Sequence, residues 1–346
     1  RMNKKLSKYP NKLVDQFGRH INYVRLSVTD RCDFRCVYCM AEEMTFLPRK
    51  EILSLEEIEI IGRAFTELGV SKIRLTGGEP LIRKGVLSLT QKLGALTGLD
   101  ELTITTNGSQ LTHMADDLKQ AGIKRINISL DTLKADRFKS LTRTGDLDQV
   151  RKGIDAALAA GFKRIKINAV LLKGRNEDEA VDLVNFCRKH GLDISFIEEM
   201  PLGVIDEHNR AVSYLSSDEL KRTIEQVHPL IASSDKTGGP SKYYRMSDSD
   251  IKVGFISPHS HNFCGDCNRV RVTVEGKLLL CLGNEHSVDL RAILRQQPGA
   301  SLANPDAIKD AVKDAIVNSM AIKPERHHFD LNNEPQIVRF MNATGG

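Results

Sequence analysis

Residues 21–39 read INYVRLSVTDRCDFRCVYC, and they combine a strand pattern with a cysteine motif. Val24, Leu26 and Val28 alternate with polar positions, which is the period of two expected of a β-strand with two different faces. Three cysteines spaced C-x3-C-x2-C follow directly. The stretch therefore predicts a strand whose carboxyl end leads into a loop with three thiols.

Similar runs recur five more times before residue 200, and segments of helical length separate them. The six strand candidates are Ile21–Val28, Lys72–Thr76, Glu101–Thr106, Arg125–Leu130, Arg164–Leu171 and Asp193–Glu198. The helix candidates are Ser54–Gly69, Lys84–Gly98, Thr112–Gly122, Asp148–Gly161 and Asn176–Gly191. Six strand–helix repeats in order predict an α/β fold with a parallel sheet and helices outside it.

Five of the six runs have one polar face, whereas a parallel strand covered on both sides reads as a nearly continuous apolar run. The recurring polar positions are Arg25, Ser27, Arg74, Thr76, Thr103, Thr105, Asn107, Asn127, Ser129, Asp131, Arg164, Lys166 and Asn168. A closed barrel filled with aliphatic side chains provides no cavity for such a face. The pattern therefore favours an incomplete (βα)6 TIM-like barrel with a polar cavity. The alternative is that some runs belong to an antiparallel sheet with one solvated face.

The strand–helix rhythm changes after residue 200. A connecting loop is expected over 201–215, followed by a helix at Ser216–Val227, short strands within Ser241–Leu282, and helices at Val288–Gln296 and Asp306–Met320. We therefore expect an N-terminal arm over residues 1–20, a partial barrel over 21–215 and a C-terminal α+β domain over 216–346.

The composition is that of a folded, soluble protein of 346 residues, with 40% hydrophobic and 27% charged residues. No apolar run approaches the roughly 20 residues of a membrane helix. A net charge of +5 suits a small anionic ligand and does not require a nucleic-acid partner. Arg1–Lys5 contain no apolar run, which predicts no secretion signal and a cytoplasmic location.

Seven cysteines form two triplets and a singleton, and in a reducing compartment such groups indicate metal binding. The triplets are Cys32, Cys36 and Cys39, then Cys264, Cys267 and Cys281 in the spacing C-x2-C-x13-C. Three thiols leave one iron of a four-iron cubane open to a small molecule. The alternatives are zinc sites completed by histidine, for which His259, His261 and His286 are available to the second triplet, or thiols that hold no metal. Cys187 lies in a helix pattern and is expected to be a buried bystander.

Two further motifs suit a phosphate-bearing ligand that approaches the backbone. Gly77 and Gly78 follow the second strand, where glycine lets a ligand come close and leaves the amides available to its polar groups. Arg269 and Arg271 lie on one face of a strand pattern, and paired guanidinium groups bind oxyanions at two points. Taken singly, the first motif reads as an ordinary turn and the second as a solvated edge strand.

Together these motifs resemble the radical S-adenosylmethionine (SAM) superfamily and, over nearly the whole chain, its GTP 3′,8-cyclase family of molybdenum-cofactor biosynthesis. The likeness runs from Tyr23-Val24-Arg25-Leu26-Ser27 through both triplets to Gly345-Gly346. The chain departs from the family pattern at Ala41, where proline is common, and at Gly85, where an acidic residue is common.

The resemblance implies a lyase that uses two [4Fe-4S] clusters and SAM to convert GTP to (8S)-3′,8-cyclo-7,8-dihydroguanosine 5′-triphosphate. A 5′-deoxyadenosyl radical from SAM would take hydrogen from C3′ of GTP, and the sugar radical would attack C8 of guanine. The implied partners are GTP, SAM, a one-electron reductant protein, the downstream cyclic pyranopterin monophosphate synthase and a second copy of the chain in a homodimer. No membrane or nucleic acid is implied.

The resemblance also implies roles by position. The first triplet would hold the SAM-binding cluster, and Cys264, Cys267 and Cys281 would hold a cluster that binds the purine of GTP. SAM contacts are implied at Tyr38, Gly78, Ser129 and Met200. GTP contacts are implied at Arg25, Arg74, Thr105, Lys166, Arg269 and Arg271. Catalytic roles are implied for Arg269, Arg271, Gly345 and Gly346.

Two other classes of protein remain open on sequence alone. One is a radical SAM enzyme that modifies peptides, against which the basic face argues. The other is a zinc-stapled RNA-binding protein, in which both triplets are structural. The absence of Trp and an aromatic content of 5% leave few residues on which bases could stack.

Overall fold

A computed structural model describes residues 12–37, 45–199, 214–235, 240–257, 267–280, 287–296 and 304–325. The strands are β1 (Leu13–Val14), β2 (His20–Ile21), β3 (Tyr23–Ser27), β4 (Lys72–Thr76), β5 (Glu101–Thr106), β6 (Ile123–Ser129), β7 (Ile165–Ala169), β8 (Asp193–Ile197), β9 (Ile231–Ala232), β10 (Lys242–Met246), β11 (Ser249–Ile256), β12 (Arg269–Val272), β13 (Lys277–Leu279) and β14 (Ser287–Asp289). The α-helices are α1 (Leu55–Glu67), α2 (Val86–Gly94), α3 (Leu111–Gln120), α4 (Ala135–Thr142), α5 (Leu147–Ala159), α6 (Ala180–His190), α7 (Ser217–Glu225), α8 (Leu290–Leu294) and α9 (Pro305–Ser319). Short 3-10 turns lie at Arg49–Glu51, Pro80–Ile82, Glu177–Glu179 and Met320–Ile322.

Strands β3 to β8 form the centre of the sheet, and each pairs in parallel with the next strand along the chain. The α/β prediction is confirmed, and an antiparallel arrangement of these six runs is excluded. The predicted strand bounds agree with the observed ones to within two residues. The alternation of apolar and polar residues located these strands, because one face of each strand packs against the helices and the other face is polar.

Strands of the C-terminal part extend this sheet at both edges. The order is β14-β13-β12-β3-β4-β5-β6-β7-β8-β11-β10-β9. Strand β12 pairs in parallel with β3, and β11 pairs in parallel with β8, while the outer strands pair antiparallel. Among the described strands, β3 and β8 therefore border C-terminal strands and not each other.

The hydrophobic core lies between the helices and the apolar face of the strands. Leu26, Ile73, Ile104, Ile128 and Ile167 come from successive strands, and all are buried in one continuous cluster with the helices. At roughly 1.5–3 kcal/mol for each fully buried aliphatic side chain, this layer supplies much of the driving force for folding.

Local signals set the helix ends. A capping box starts α1, because Ser54 Oγ accepts from Glu57 N at 3.1 Å and the Glu57 carboxylate accepts from Ser54 N at 2.9 Å. Gly191 ends α6 with a φ of +67°, in the left-handed region that glycine adopts without strain. The starts and ends predicted from polar caps and glycines therefore have a direct structural basis.

Within the described residues, the C-terminal elements follow the predictions with two differences. Strand β9 lies outside the region where strands are predicted, and the second difference concerns a predicted helix. Residues 201–213 of the predicted connecting loop lie outside the described residues. The helix predicted at Ser216–Val227 is α7, and the helix predicted at Asp306–Met320 is α9. The segment predicted as a helix at Val288–Gln296 instead begins with strand β14 and continues as the short α8. Its first residues join β13 in the sheet, so tertiary pairing overrides the helical pattern. None of the helices in the described part of the chain combines the length and hydropathy needed to cross a lipid bilayer.

Helix α4 and the β1–β2 hairpin are not among the elements predicted from the sequence.

The turn between β1 and β2 contacts the segment that follows α9. Asp15 pairs with Arg19 at 2.6 Å, and Arg19 donates to Pro324 O at 2.6 Å and to Glu325 O at 2.8 Å. Gln16 donates to Lys323 O at 3.2 Å. We call this set of contacts the terminal clamp.

Candidate functional site

Three arginines stand side by side on the polar face of the sheet. Arg271 of β12 is paired in register with Arg25 of β3, and Arg25 with Arg74 of β4. Neighbouring strands lie about 4.8 Å apart, so the three side chains leave the sheet as close neighbours. Arg74 and Arg271 are 5% and 7% exposed. We call these three residues the arginine row.

The arginine row concentrates positive charge in a buried place. Burial lowers the pKa of Arg25 to about 10; Tyr23 opposes this shift, and the charges of Arg74 and Arg269 add to it. Burial and the charges of Arg25 and Arg269 hold the pKa of Arg271 well below its ordinary value. Like charges on adjacent strands repel, and burial strengthens the repulsion. An arrangement of this kind is suited to a ligand with several negative charges.

Tyr23 and Lys72 belong to the same face and were not singled out from the sequence. Tyr23 Oη accepts from Arg74 Nε at 2.7 Å, and Lys72 Nζ lies 4.5 Å from the centre of the Tyr23 ring. Burial alone raises the pKa of Tyr23, but Arg74, Arg25 and Lys72 outweigh it and lower that pKa to about 6. Burial lowers the pKa of Lys72 to about 8. Both residues lie two positions before an arginine of the row, so the period of two could have identified them.

The remaining predicted GTP contacts lie further along the same face. Thr105 Oγ1 accepts from Arg74 Nη1 at 3.2 Å. Lys166 donates to Tyr243 Oη at 3.1 Å. Asn127 stands between Thr105 and Lys166 in the strand register. Strand register connects Arg271, Arg25 and Arg74, and it also connects Thr105 to Lys166 through Asn127. The hydrogen bond between Arg74 and Thr105 joins the two sets.

Three buried polar atoms of this face have no hydrogen-bond partner within the described ranges. They are Thr76 Oγ1, Thr103 Oγ1 and Asn168 Oδ1. Buried polar groups nearly always have a partner, so these atoms are where hydrogen bonds to a polar ligand are expected. Their burial also rules out a solvated sheet face, the alternative left open by the sequence.

The first cysteine loop begins where β3 ends. Cys32 and Cys36 are half-buried, and neither is in a disulfide. Cys32 Sγ accepts from Phe34 N at 3.3 Å and from Asn107 Nδ2 at 3.8 Å. The thiol also lies 3.9 Å from Asp33 Oδ1, to which it donates. Thiols outside disulfides are the side chains that hold iron–sulfur clusters once they lose their protons. These residues therefore fit an iron–sulfur cluster, to which they would contribute two of the three predicted ligands.

The glycine loop after β4 packs directly on the cysteine loop. Glu79 N donates to Arg31 O at 2.8 Å. A Cβ at Gly78 would lie 1.9 Å from Arg31 O, so the backbones approach more closely than any other residue allows. The two motifs predicted to meet SAM are thus held together by their main chains. Ser129, another predicted SAM contact, is half-buried at the end of β6, opposite Asn168.

A buried network supports both loops. Asp33 accepts from Asn107 Nδ2 at 2.7 Å and from the Ser109 hydroxyl. Glu79 accepts from Thr106 Oγ1 at 2.8 Å and from Asn107 N at 2.9 Å. Burial raises the pKa of Glu79 to about 8, against the effect of its hydrogen bonds. Asn107 therefore links the glycine loop to the cysteine loop from the end of β5.

The departure from the family pattern at Gly85 has a local explanation. Gly85 precedes α2 with a φ of +84°, and a Cβ there would meet Leu55 Cδ1 at 2.6 Å. An acidic residue would be strained in this backbone conformation, so glycine at this position is required by the way α2 begins.

The second cysteine loop leads into β12. Cys267 is buried and lies two residues before Arg269. Cys187 is fully buried in α6, as predicted for a bystander, and burial raises its pKa far above the usual range of a thiol. Several predicted site residues lie outside the described residues, namely Tyr38, Cys39, Met200, Cys264, Cys281, Gly345 and Gly346. Within the described part, no three metal-ligating side chains come together.

Residues 26–187 match the family model of the radical SAM superfamily, and residues 192–329 match that of Molybdenum Cofactor Synthesis C. The GTP 3′,8-cyclase of Saccharophagus degradans is 61% identical over 334 residues, which cover 96% of this chain and 98% of that protein. The chain belongs to the GTP 3′,8-cyclase family.

Other GTP 3′,8-cyclases are similarly close. Those of Marinobacter nauticus and Pseudomonas entomophila are each 58% identical, covering 97% and 99% of this chain and 99% and 100% of theirs. Among solved structures, Streptococcus suis SuiB covers 95% of this chain, which spans 79% of SuiB, with a TM-score of 0.61 and 16% identity. The SuiB likeness shows the shared fold alone.

Family membership confirms several predictions made from the sequence. The chain is a radical SAM enzyme of molybdenum-cofactor synthesis with a mixed α/β fold and a C-terminal cofactor-synthesis domain. Its cofactors are [4Fe-4S] clusters and SAM. The zinc-stapled RNA-binding alternative is therefore excluded.

Proposed function

We propose that this chain catalyses the SAM-dependent cyclisation of GTP to (8S)-3′,8-cyclo-7,8-dihydroguanosine 5′-triphosphate, the first step of molybdenum-cofactor biosynthesis. The observation that carries the proposal is the arginine row, which lies beside the strand that follows Cys267. A triphosphate brings several negative charges to this concentration of positive charge. The planar guanidinium groups of the arginines suit phosphate oxygens.

The cysteines divide into two ligand sets in this proposal. Cys32, Cys36 and Cys39 hold the cluster that binds SAM, next to Tyr38, Gly78, Ser129 and Met200. Cys264, Cys267 and Cys281 hold the cluster that binds the purine. When bound, the first cluster and SAM supply the one-electron chemistry that yields a 5′-deoxyadenosyl radical.

In this proposal, the side chains of the protein serve to position GTP. Arg25, Arg74 and Arg271, with Arg269 and Lys166, neutralise the triphosphate and hold it in one orientation, and Thr105 orients Arg74 through the 3.2 Å hydrogen bond. Correct orientation accounts for several kcal/mol of a typical enzymatic barrier. Because the polar face is buried, water and competing C–H bonds are kept away from C3′ of the ribose.

The proposal extends to the chain ends and to partners. Residues 1–20 act as an arm, 21–215 as the radical SAM unit, and 216–346 as the cluster and GTP unit, whose Gly345-Gly346 tail enters the active site. A one-electron reductant protein supplies electrons, a cyclic pyranopterin monophosphate synthase takes the product, and the chain forms a homodimer. Thiol-bound clusters persist in a reducing compartment, so we place the enzyme in the cytoplasm.

The test begins with anaerobic purification and analysis of iron, sulfide and zinc. About eight irons per chain are expected for two cubanes. The protein is then incubated with SAM, a chemical reductant and GTP, and 5′-deoxyadenosine and cyclised nucleotide are quantified. Matched formation of the two products supports the proposal. Zinc without iron, or SAM cleavage that does not depend on GTP, would contradict it.

Removal of Gly345 and Gly346 tests the role of the tail. We expect the shortened protein to keep its iron content and its GTP affinity but to form no cyclised product. Product formation at the full-length rate would show that the tail is dispensable.

A further inference from the structure

A tyrosine stands among the cations of the nucleotide site. Tyr23 is 3% exposed, and its hydroxyl accepts from Arg74 Nε at 2.7 Å. Arg25, from the same strand, is close enough for its charge to lower the pKa of this phenol. Lys72 Nζ lies 4.5 Å from the ring centre. Two guanidinium groups and an ammonium group therefore converge on one phenol.

Other strands complete the surroundings of Tyr23. Arg269 of β12 is its partner in the strand register, and Arg271 is close enough for its charge to interact with the phenol. Glu101 of β5 is an acidic group near Lys72, and its carboxylate lies 3.8 Å from Lys72 Nζ and 2.6 Å from Arg125 Nε. The Cys267 thiol is close enough for its charge to interact with Arg271. Tyr23 is an acidic side chain that contacts the arginine row directly.

We propose that Tyr23 is a positioning residue of the nucleotide site, whose phenol oxygen serves as the internal anion of the arginine row until a triphosphate replaces it. The proposal rests on the proposed function, because it takes the ligand to be a nucleoside triphosphate. Without ligand, Tyr23 keeps Arg25 and Arg74 side by side. With ligand, phosphate oxygens accept the guanidinium hydrogen bonds, and the phenolate takes one proton from solvent.

The proton balance follows from the surroundings of Tyr23. The adjacent cations lower its pKa to about 6, so at pH 8 the phenol is ionised in the ligand-free protein. A triphosphate cancels those positive charges and brings negative charge close, which raises the pKa of the phenol again. Binding at pH 8 is therefore coupled to proton uptake, and binding below pH 6 is not, because the phenol already carries its proton.

The experiment measures protons taken up per ligand bound. Anaerobically purified holoprotein is titrated calorimetrically with inorganic tripolyphosphate and with GTP, at about pH 5.5 and about pH 8, in pairs of buffers that differ in ionisation enthalpy. At pH 8 the wild type is expected to take up about one proton more than Tyr23→Phe, and at pH 5.5 the two proteins are expected to differ little. Lys72, whose pKa is about 8, and the terminal phosphate of the ligand exchange protons in both proteins, so the difference between the proteins reports Tyr23. The control Tyr244→Phe, changed at a half-buried tyrosine beside Phe255, is expected to match the wild type.

Several results would overturn the inference. These are equal proton uptake by wild type and Tyr23→Phe, uptake by the wild type that does not change with pH, or failure of the wild type to bind either ligand. If Tyr23→Phe does not fold, the wild type is measured at pH 7, where a phenol with a pKa of about 6 is ionised and Lys72 with a pKa of about 8 is protonated, so that proton uptake there reports Tyr23. The cyclase assay is run separately, so a protein that shows the proton uptake but forms no cyclised GTP refutes the proposed function and leaves the role of Tyr23 standing.

Discussion

Arg271 is a residue whose charge is unfavourable in the folded protein, and the proposed function uses that charge to bind the triphosphate. Its pKa is lowered by burial and by the charges of Arg25 and Arg269. The protonated form is therefore less stable there than in water. Residues that bind polyanions often have this conflict, because the groups that attract the ligand repel each other before it arrives.

Replacing Arg271 with glutamine is expected to separate the repulsion between the arginines from the attraction of the triphosphate. A charge-assisted hydrogen bond is worth about 1.5–3 kcal/mol, so GTP affinity should fall about 10- to 100-fold. The melting temperature of the ligand-free protein should stay the same or rise, because like charges are relieved. Calorimetry with GTP and thermal melts without it provide the two measurements.

The control for this variant is Arg188→Gln, which removes a surface pair with Asp248 at 2.7 Å. It should leave GTP affinity unchanged. If Arg271→Gln lowers affinity and melting temperature together, Arg271 has a structural role instead.

Cysteine substitutions give a second prediction for single residues. Cys32→Ala and Cys267→Ala are each expected to lose about four irons per chain, since each removes one ligand of one cubane. Cys187→Ala is the matched control, because that thiol is fully buried in the core with its pKa raised by burial. Elemental analysis after anaerobic reconstitution gives the counts. Loss of iron in Cys187→Ala, or its retention in the other two, would contradict the proposed ligand sets.

The loops after β3 and β4 act as one element. They are joined by the Glu79 N to Arg31 O hydrogen bond, and Arg83 ties them to the rest by donating to Val28 O at 2.9 Å and Leu53 O at 3.1 Å. Parallel pairing of β3 and β4 brings the two loops to the same edge of the sheet. The proposed SAM site therefore depends on backbone fit between two short segments.

Gly78→Ala should disrupt that fit. The new Cβ would lie 1.9 Å from Arg31 O, which forces the loops apart at a cost of about 1–3 kcal/mol or more. The control is Gly94→Ala. Gly94 is the last residue of α2, and a Cβ there would lie 2.2 Å from Ala121 O. Both variants should melt at lower temperature, but SAM binding measured by calorimetry should fail in Gly78→Ala alone. Equal SAM affinity in both variants would show that the contact matters for stability only.

The elements differ in how well the sequence predicted them. Strands β3 to β8 were predicted because apolar and polar residues alternate strongly along them. Arg25, Arg74 and Lys166 lie on the polar face, which made them candidates for the site. Helix α4 was missed, since its N-cap residue Lys134 provides no side-chain cap. The β1–β2 hairpin was missed because two-residue strands show no period. Strand β14 was missed because its identity depends on pairing with β13.

The hydrogen bonds that support the predicted site residues could not be predicted from the sequence. Asn107 was placed on the polar face, but its bonds to Asp33 and Glu79 join residues 74 and 28 positions apart. Tyr23 and Lys72 lay within predicted strands, yet their significance comes from which side chains the neighbouring strands place beside them. Such pairings follow from register, which a single sequence does not specify.

At the scale of the whole molecule, two buried acids give the stability opposite dependences on pH. The folded pKa of Glu79 is raised to about 8, so its contribution to the free energy of unfolding decreases as pH rises from about 5 to 8. The folded pKa of Tyr23 is lowered to about 6, so its contribution increases as pH rises from 6 towards 10. Each slope is at most about 1.4 kcal/mol per pH unit, and they oppose each other between pH 6 and 8.

Single substitutions should reveal both slopes. Relative to wild type, Glu79→Gln is expected to become more stable as pH rises from 6 to 8, and Tyr23→Phe is expected to become less stable. Anaerobic thermal melts at pH 6, 7 and 8 measure the two differences. Parallel curves for wild type and both variants would mean that neither group titrates as its surroundings imply.

The terminal clamp has a consequence for when its contacts can form during synthesis of the chain. Its bonds from Arg19 connect positions 305 and 306 residues apart in the sequence. Residues 324 and 325 must therefore be synthesised before Arg19 can meet its partners. By then the ribosome has already made every strand of the large sheet, so the clamp is a contact that only post-dates the synthesis of the sheet it borders.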